Sequence, residues 1–152
     1  MDELEKLLKK IVSLNQDVLL KRIYSDSKVE QFIVSLNTEG VKTSQLYELG
    51  EDSKGQSLGN YTDYSIQLKL DGFGDSRIDH ITLKDTGDFY ESFEVQPLKA
   101  GFRIKANPLK DGDDLTEHFG EDIIGLNENN KKILARFILP YLQEEIKRAI
   151  ME

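Results

Sequence analysis

Residues 94–106 constrain the chain most. Glu94-Val95-Gln96-Pro97-Leu98 and Phe102-Arg103-Ile104-Lys105-Ala106 alternate at period two around Lys99-Ala100-Gly101. That pattern specifies a β-hairpin, and Pro97, which lacks an N–H, biases the end of its first strand toward an edge. Both ends of the chain carry the other periodicity. Leu4, Leu7, Leu8, Ile11, Val12, Val18, Leu19 and Ile23 recur at three- and four-residue steps. They predict one long amphipathic helix over 2–23. Acidic residues in its first turn and Lys21 and Arg22 in its last complement the helix dipole. A matching stripe from Ile133 through Leu134, Phe137, Ile138 and Leu142 to Ile150 predicts a C-terminal helix that starts behind Asn127. Pro140 inside it predicts a kink or a local loss of hydrogen bonding. The fold class that follows is α+β: a small, mainly antiparallel sheet packed by long N- and C-terminal helices.

The intervening segments fill in this plan. Ser25-Asp26-Ser27 caps a second helix through Val29, Phe32, Ile33 and Leu36. A helical turn over 43–49 is stopped by Gly50. Residues 51–60 form a polar loop, and Tyr64, Ile66, Leu68 and Leu70 then alternate with polar residues as a strand does, with strand and helix both left open over 64–70. Residues 71–75 read as a loop tip and 78–83 as an extended run. Asp85 or Thr86 caps a short helix that puts Phe89 and Phe93, four apart, on one face. Residues 109–114 read as an acidic loop, and 115–119 as a helical turn ended by Gly120. The organisation is a single domain over 1–152, with a helical part (1–40), a loop and hairpin part (41–126) and a C-terminal helix (127–152).

Charge and composition narrow the function. The chain of 152 residues carries a formal charge of −8 with its basic residues scattered, so its average field repels a phosphate backbone. No apolar run is long enough to span a membrane, and the charged start, Met1-Asp2-Glu3-Leu4, has no signal-peptide core. Cys is absent, which removes thiolate catalysis and Cys-based zinc sites. A cytoplasmic place of synthesis and assembly is the simple expectation.

No catalytic, cofactor or metal site is expected. His80 and His118 are the only histidines, and neither has a nucleophile nearby in sequence. A surface or satisfied structural histidine is the favoured reading of both. Asp71, Asp75 and Asp79, and Asp111, Asp113 and Asp114, suggest a calcium loop, but neither set meets the EF-hand spacing. Gly50, Gly55 and Gly59 lack the Gly-Lys-Ser/Thr of a phosphate-binding loop. The apolar stripe on 2–23 has two readings. It covers the sheet, or part of it meets a neighbouring subunit; the first is favoured for most of its residues.

Features spread from about residue 46 to residue 150 carry a resemblance. Leu83-Lys84-Asp85-Thr86-Gly87-Asp88-Phe89-Tyr90-Glu91-Ser92-Phe93 forms an elbow, followed by the hairpin over 94–106. Thr116-Glu117-His118-Phe119-Gly120 forms a turn, and Ile123-Ile124-Gly125-Leu126-Asn127 a connection into the last helix. In that order they resemble the tail-completion or neck (head–tail connector) proteins of tailed bacteriophages and the related virion-morphogenesis family. Leu83, Thr86, Gly87, Phe89, Ser92 and Phe93 match the elbow motif. The resemblance implies a non-enzymatic virion protein, assembled in the host cytoplasm as an oligomeric ring between portal and tail. It also implies contacts with copies of itself and with portal, head-completion and tail proteins, with DNA passage through the ring and no sequence-specific DNA binding. The loops expected to reach neighbours are 51–60 and 71–79, with Asp52, Lys54, Leu58, Tyr61, Phe73 and Arg77 as candidate contacts. The alternative is an acidic cytoplasmic protein-binding module, such as a host-takeover or toxin-neutralising protein. A hydrolase using His80 or His118 comes last.

Overall fold

The computed structural model describes residues 2–151, apart from the side chains of Ile11 and Val12, two members of the N-terminal stripe. In chain order it runs α1 (Glu3–Val12), α2 (Gln16–Tyr24), α3 (Ser27–Asn37), a π-helical turn (Gln45–Leu49) and α4 (Asp63–Leu70). Then come α5 (Asp88–Glu91), β1 (Glu94–Leu98), β2 (Gly101–Lys105), β3 (Leu109–Lys110) and β4 (Asp113–Asp114). The chain closes with α6 (Leu115–Phe119), a 3-10 turn (Glu121–Ile123) and α7 (Glu128–Met151). The α+β class holds, with two small antiparallel sheets and a long C-terminal helix.

Four expectations are corrected. The N-terminal helix is two helices, because the Asn15 side chain accepts hydrogen bonds from the Asp17 and Val18 amides and starts α2 afresh. Residues 63–70 are a helix, not a strand: the Thr62 hydroxyl accepts from the Ser65 amide and caps α4. Residues 78–83 join no strand ladder. The Ile81 amide bonds the Gly59 carbonyl instead, and Leu83 has φ +60°. The acidic loop over 109–114 is a tight hairpin whose central Asp111 and Gly112 have φ +50° and +85°. Asp-Gly is the sequence signal for such a turn, because both central residues need positive φ.

The main hairpin forms as expected, with Leu98 opposite Gly101 and Val95 opposite Ile104. α2 and α3 pack on it, α7 covers α2 and α3, and α1 lies against α7. The larger core joins Ile23, Val29, Ile33, Leu36, Val95 and Leu134. Phe32 and Phe137 stack at its edge, with centroids 3.9 Å apart. A second core holds Leu46, Phe89, Tyr90, Phe93 and Ile123, and Ile104 and Val34 touch both. α7 is assigned helical through Pro140, which supplies no amide to the preceding turn.

A buried knot of amides ties the two cores. Asn37 Nδ2 donates to the Ile123 carbonyl (3.0 Å), and its Oδ1 accepts from the Gly125 amide (2.7 Å). Gln45 Nε2 donates to the Gly125 carbonyl (2.7 Å), and its Oε1 accepts from the Asn127 amide (2.8 Å). Asn130 Nδ2 faces the Leu36 and Thr43 carbonyls and Gln45 Oε1, at 3.2, 2.9 and 3.0 Å. All three side chains are fully buried. The connection over 123–127 thus has its backbone satisfied by side chains far away in sequence, as a buried irregular segment requires.

Candidate functional site

The elbow is built inward. Gly87, at φ +96°, turns the chain into α5, and the Thr86 hydroxyl accepts from the Asp88 amide at 3.3 Å. α5 then aims Phe89, Tyr90 and Phe93 into the second core, with the Phe89 and Phe93 rings edge-on at 5.0 Å. Ser92 Oγ donates to the Phe89 carbonyl and accepts from the Asn107 amide at 2.8 Å, which fastens the elbow to the far end of the hairpin. Leu83 packs on the same core.

The residue that anchors the elbow is one the sequence did not single out. Thr82 is fully buried, and its carbonyl accepts from the Tyr90 hydroxyl at 2.5 Å. Its amide donates to the Tyr61 hydroxyl (3.1 Å), and its own hydroxyl accepts from the Lys84 amide (3.1 Å). Burial pushes the Tyr90 phenol up from its ordinary value. A threonine in an extended run gives no local sign of such a role, because Tyr61 and Tyr90 reach it from both sides.

A second polar cluster surrounds Tyr47. Its hydroxyl bonds Asp75 Oδ1 at 3.4 Å, and the Arg77 and Lys84 cations lie 5.4 and 5.3 Å from its ring centroid. Arg77 donates to Asp79 at 2.9 Å and to Glu48 at 3.0 Å. The hydrogen bond to Asp79 leads in holding the guanidinium protonated, and the Asp79 carboxyl is lowered in return. Lys84 meets both oxygens of Glu39 at 2.9 Å, which raises its ammonium. His80 is largely enclosed here. Its Nε2 lies 2.7 Å from the Tyr47 carbonyl, its Nδ1 lies 3.3 Å from Asp79, and its ring lies against Gly50. Both ring nitrogens of His80 thus face protein acceptors. His118 is exposed on α6. Among the described residues, no three His, Asp or Glu side chains converge on a cation site.

The loop candidates therefore separate. Asp52 turns inward and accepts from the Lys54 and Gln56 amides at 2.9 Å, while Lys54 pairs with Asp122 at 3.3 Å. Leu58 packs on the second core, Tyr61 holds Thr82 and Arg77 belongs to the Tyr47 cluster. Of the six candidates Phe73 and Lys54 stand into solvent, Phe73 at 66% exposure.

Exposed apolar side chains are most concentrated on two elements, while Leu109, Leu139 and Met151 stand out singly elsewhere. Every described side chain of α1 is exposed, including Leu4, Leu7 and Leu8 at 64, 38 and 51%. α4 buries none of its residues; Tyr64 and Leu70 project from it, and Phe73 from the loop beyond. Between α4 and the body runs a groove of about 610 Å³, floored by Leu68, Ile81, Leu83, Leu115 and Phe119. Lys69, Lys84 and Lys110 stand on its walls, with Asp85 as the one acidic residue there. A second groove, of about 560 Å³, lies between the hairpin and α7 and has Lys131 as its one charged residue. No described helix is long and apolar enough to cross a membrane.

This arrangement defines an α+β domain with a rigid, amide-knotted body and two apolar elements left uncovered. No protein-family model matches the chain, and neither the curated proteins nor the solved structures contain a match.

Proposed function

We propose that the protein is a structural subunit of a tailed-bacteriophage particle, one copy of a ring at the portal–tail junction that works by assembly alone. The resemblance of the elbow, hairpin, turn and connection, in that order, supports the setting. The observation that carries the reading is the placement of apolar surface. α1 and the α4 arm leave Leu4, Leu8, Tyr64, Leu70 and Phe73 uncovered, and apolar side chains gathered on an exposed element favour contact with another protein. The polar groups of the Tyr47 cluster, by contrast, are engaged with one another. A ring of such subunits would carry an acidic average field, which favours passage of DNA without adhesion.

Three measurements test the reading. Purified protein is examined by light scattering and, mixed with the portal of its parent particle, by negative-stain imaging. Purified particles are assayed for the chain by mass spectrometry. Rings, and presence in the particle, are the expected results. A chain that stays monomeric and never joins a particle or its connector overturns the reading in favour of an acidic protein-binding module.

A further inference from the structure

We propose that the free edge of β2 accepts an extended strand from a partner protein, apolar at alternate positions and acidic at those between. The contact is with a different protein and stands independently of the ring reading. The two-residue turn Lys99-Ala100 makes Leu98 and Gly101 a hydrogen-bonded pair, so bonded and non-bonded pairs alternate along the ladder from there. Arg103 and Lys105 therefore direct their amides and carbonyls to β1. Phe102 and Ile104 turn theirs outward, and among the described residues those two amides and two carbonyls have no hydrogen-bond partner. The outer edge of β1 offers less. Pro97 has no amide, the Val95 amide faces Glu30 at 3.5 Å, and α3 packs beside the strand.

The surroundings of that edge select the occupant. A row of unpaired amides and carbonyls is matched by another extended backbone, which supplies the same groups at the same spacing. Side chains of an added strand lie beside β2 residues on the same face of the sheet. On the inner face Phe102 and Ile104 line the groove of about 560 Å³, together with Leu126, Leu134 and Ile138. The inward positions of the strand are therefore apolar. On the outer face Arg103 and Lys105 are exposed, and among the described residues neither has a carboxylate at ion-pairing distance. Glu94, across from Lys105, is the one acidic residue on that face of the hairpin, which stays net positive on a chain of charge −8. The outward positions of the strand are therefore acidic, because opposite charges on neighbouring strands attract and like charges repel. The same rule disfavours a second copy, since β2 paired with β2 sets the cations of both copies side by side. Lys131, in the groove, pairs with Glu128 and takes no part.

Peptide titration of the full chain decides the point. The probes are short synthetic peptides that alternate valine with glutamate, valine with lysine, and valine with glutamate on N-methylated amides. Fluorescence anisotropy of the labelled peptide measures affinity, and amide hydrogen exchange followed by nuclear magnetic resonance locates the contact. The glutamate peptide should bind about tenfold more tightly than the lysine peptide, as two cross-strand charge pairs turned from attraction to repulsion require. It should slow exchange at the Phe102 and Ile104 amides, and the N-methylated peptide should not bind. Arg103→Glu with Lys105→Glu, both exposed, should reverse the preference. No binding of the glutamate peptide up to its solubility limit overturns the inference, and so does equal binding of the lysine peptide. Protection that falls away from β2 overturns it, as does slow exchange of the Phe102 and Ile104 amides in the chain without peptide, which would mean that the edge is already covered. The ring reading is judged separately, by whether the chain is found in purified particles.

Discussion

Asn130→Ala tests whether the amide knot holds the two cores together. The side chain is fully buried, and its amide is the donor that the Leu36 and Thr43 carbonyls share. Gln45 Oε1 keeps the Asn127 amide when Asn130 is removed, but the two carbonyls lose their donor. Leaving a buried polar group unsatisfied costs about 1–3 kcal/mol. Two such groups, with slight relaxation, put the loss near 3 kcal/mol, a large part of the about 5–15 kcal/mol that holds a domain folded. The melting temperature should fall by about 6–12 °C, given about 2–4 °C per kcal/mol at this chain length. Urea unfolding followed by far-ultraviolet circular dichroism measures it, with the slope m unchanged if the unfolded state is unaffected. Asn130→Asp sharpens the test: it keeps the shape but turns oxygen toward three oxygens, so it should be less stable than Asn130→Ala at neutral pH. A loss below about 1 kcal/mol for Asn130→Ala, or wild-type stability for Asn130→Asp, would refute the reasoning.

Three further outcomes are expected. Tyr90→Phe should cost about 1–2 kcal/mol by orphaning the Thr82 carbonyl. Burial raises the Tyr90 phenol above its ordinary 10.0, so the unfolded chain releases that proton first. The stabilisation is present below pH 10 and is lost as the pH climbs beyond it; alkaline denaturation should be shallower in Tyr90→Phe. Gly50→Ala should destabilise by more than about 1–2 kcal/mol, because φ is +62° and the new Cβ would lie 2.4 Å from His80 Cδ2. Adding His80→Ala should recover the steric part alone, a non-additivity that a double-mutant cycle reads directly. Pro140→Ala should raise stability by about 1–3 kcal/mol, since Pro140 is exposed within α7 and proline is the least favourable helix residue.

The hairpin, the Gly50 and Gly120 stops and the C-terminal helix could be read from sequence because each is set by neighbours within a few residues. Two of the errors share one cause, a side-chain cap. Tyr64, Ile66, Leu68 and Leu70 alternate as a strand would, but α4 buries none of its residues, so burial does not select a period and the Thr62 cap decides. Asn15 sits inside a good helical stripe, yet its side chain satisfies two amides and restarts the helix. The amide knot and Thr82 were out of reach: Asn37 meets Ile123, and Asn130 meets Leu36, across most of the chain. Asp52 and Arg77, expected as loop contacts, hold polar partners within the molecule. Charge in a loop says nothing about which way the side chain turns.

The elbow and the uncovered surfaces have separate roles. Leu83, Phe89 and Phe93 serve the second core, and Ser92 ties that core to the hairpin, so substitutions there act through stability. The largest groupings of apolar side chains left in water lie on α1 and the α4 arm, with Val18, Leu109, Leu139 and Met151 exposed singly elsewhere. α1 fully buries none of its described side chains and α4 none of its residues, so both lie on the surface of the body. Apolar residues that contribute nothing to the core carry a solubility cost. On α1 and the α4 arm they are the surfaces at which the proposed assembly is to be tested first.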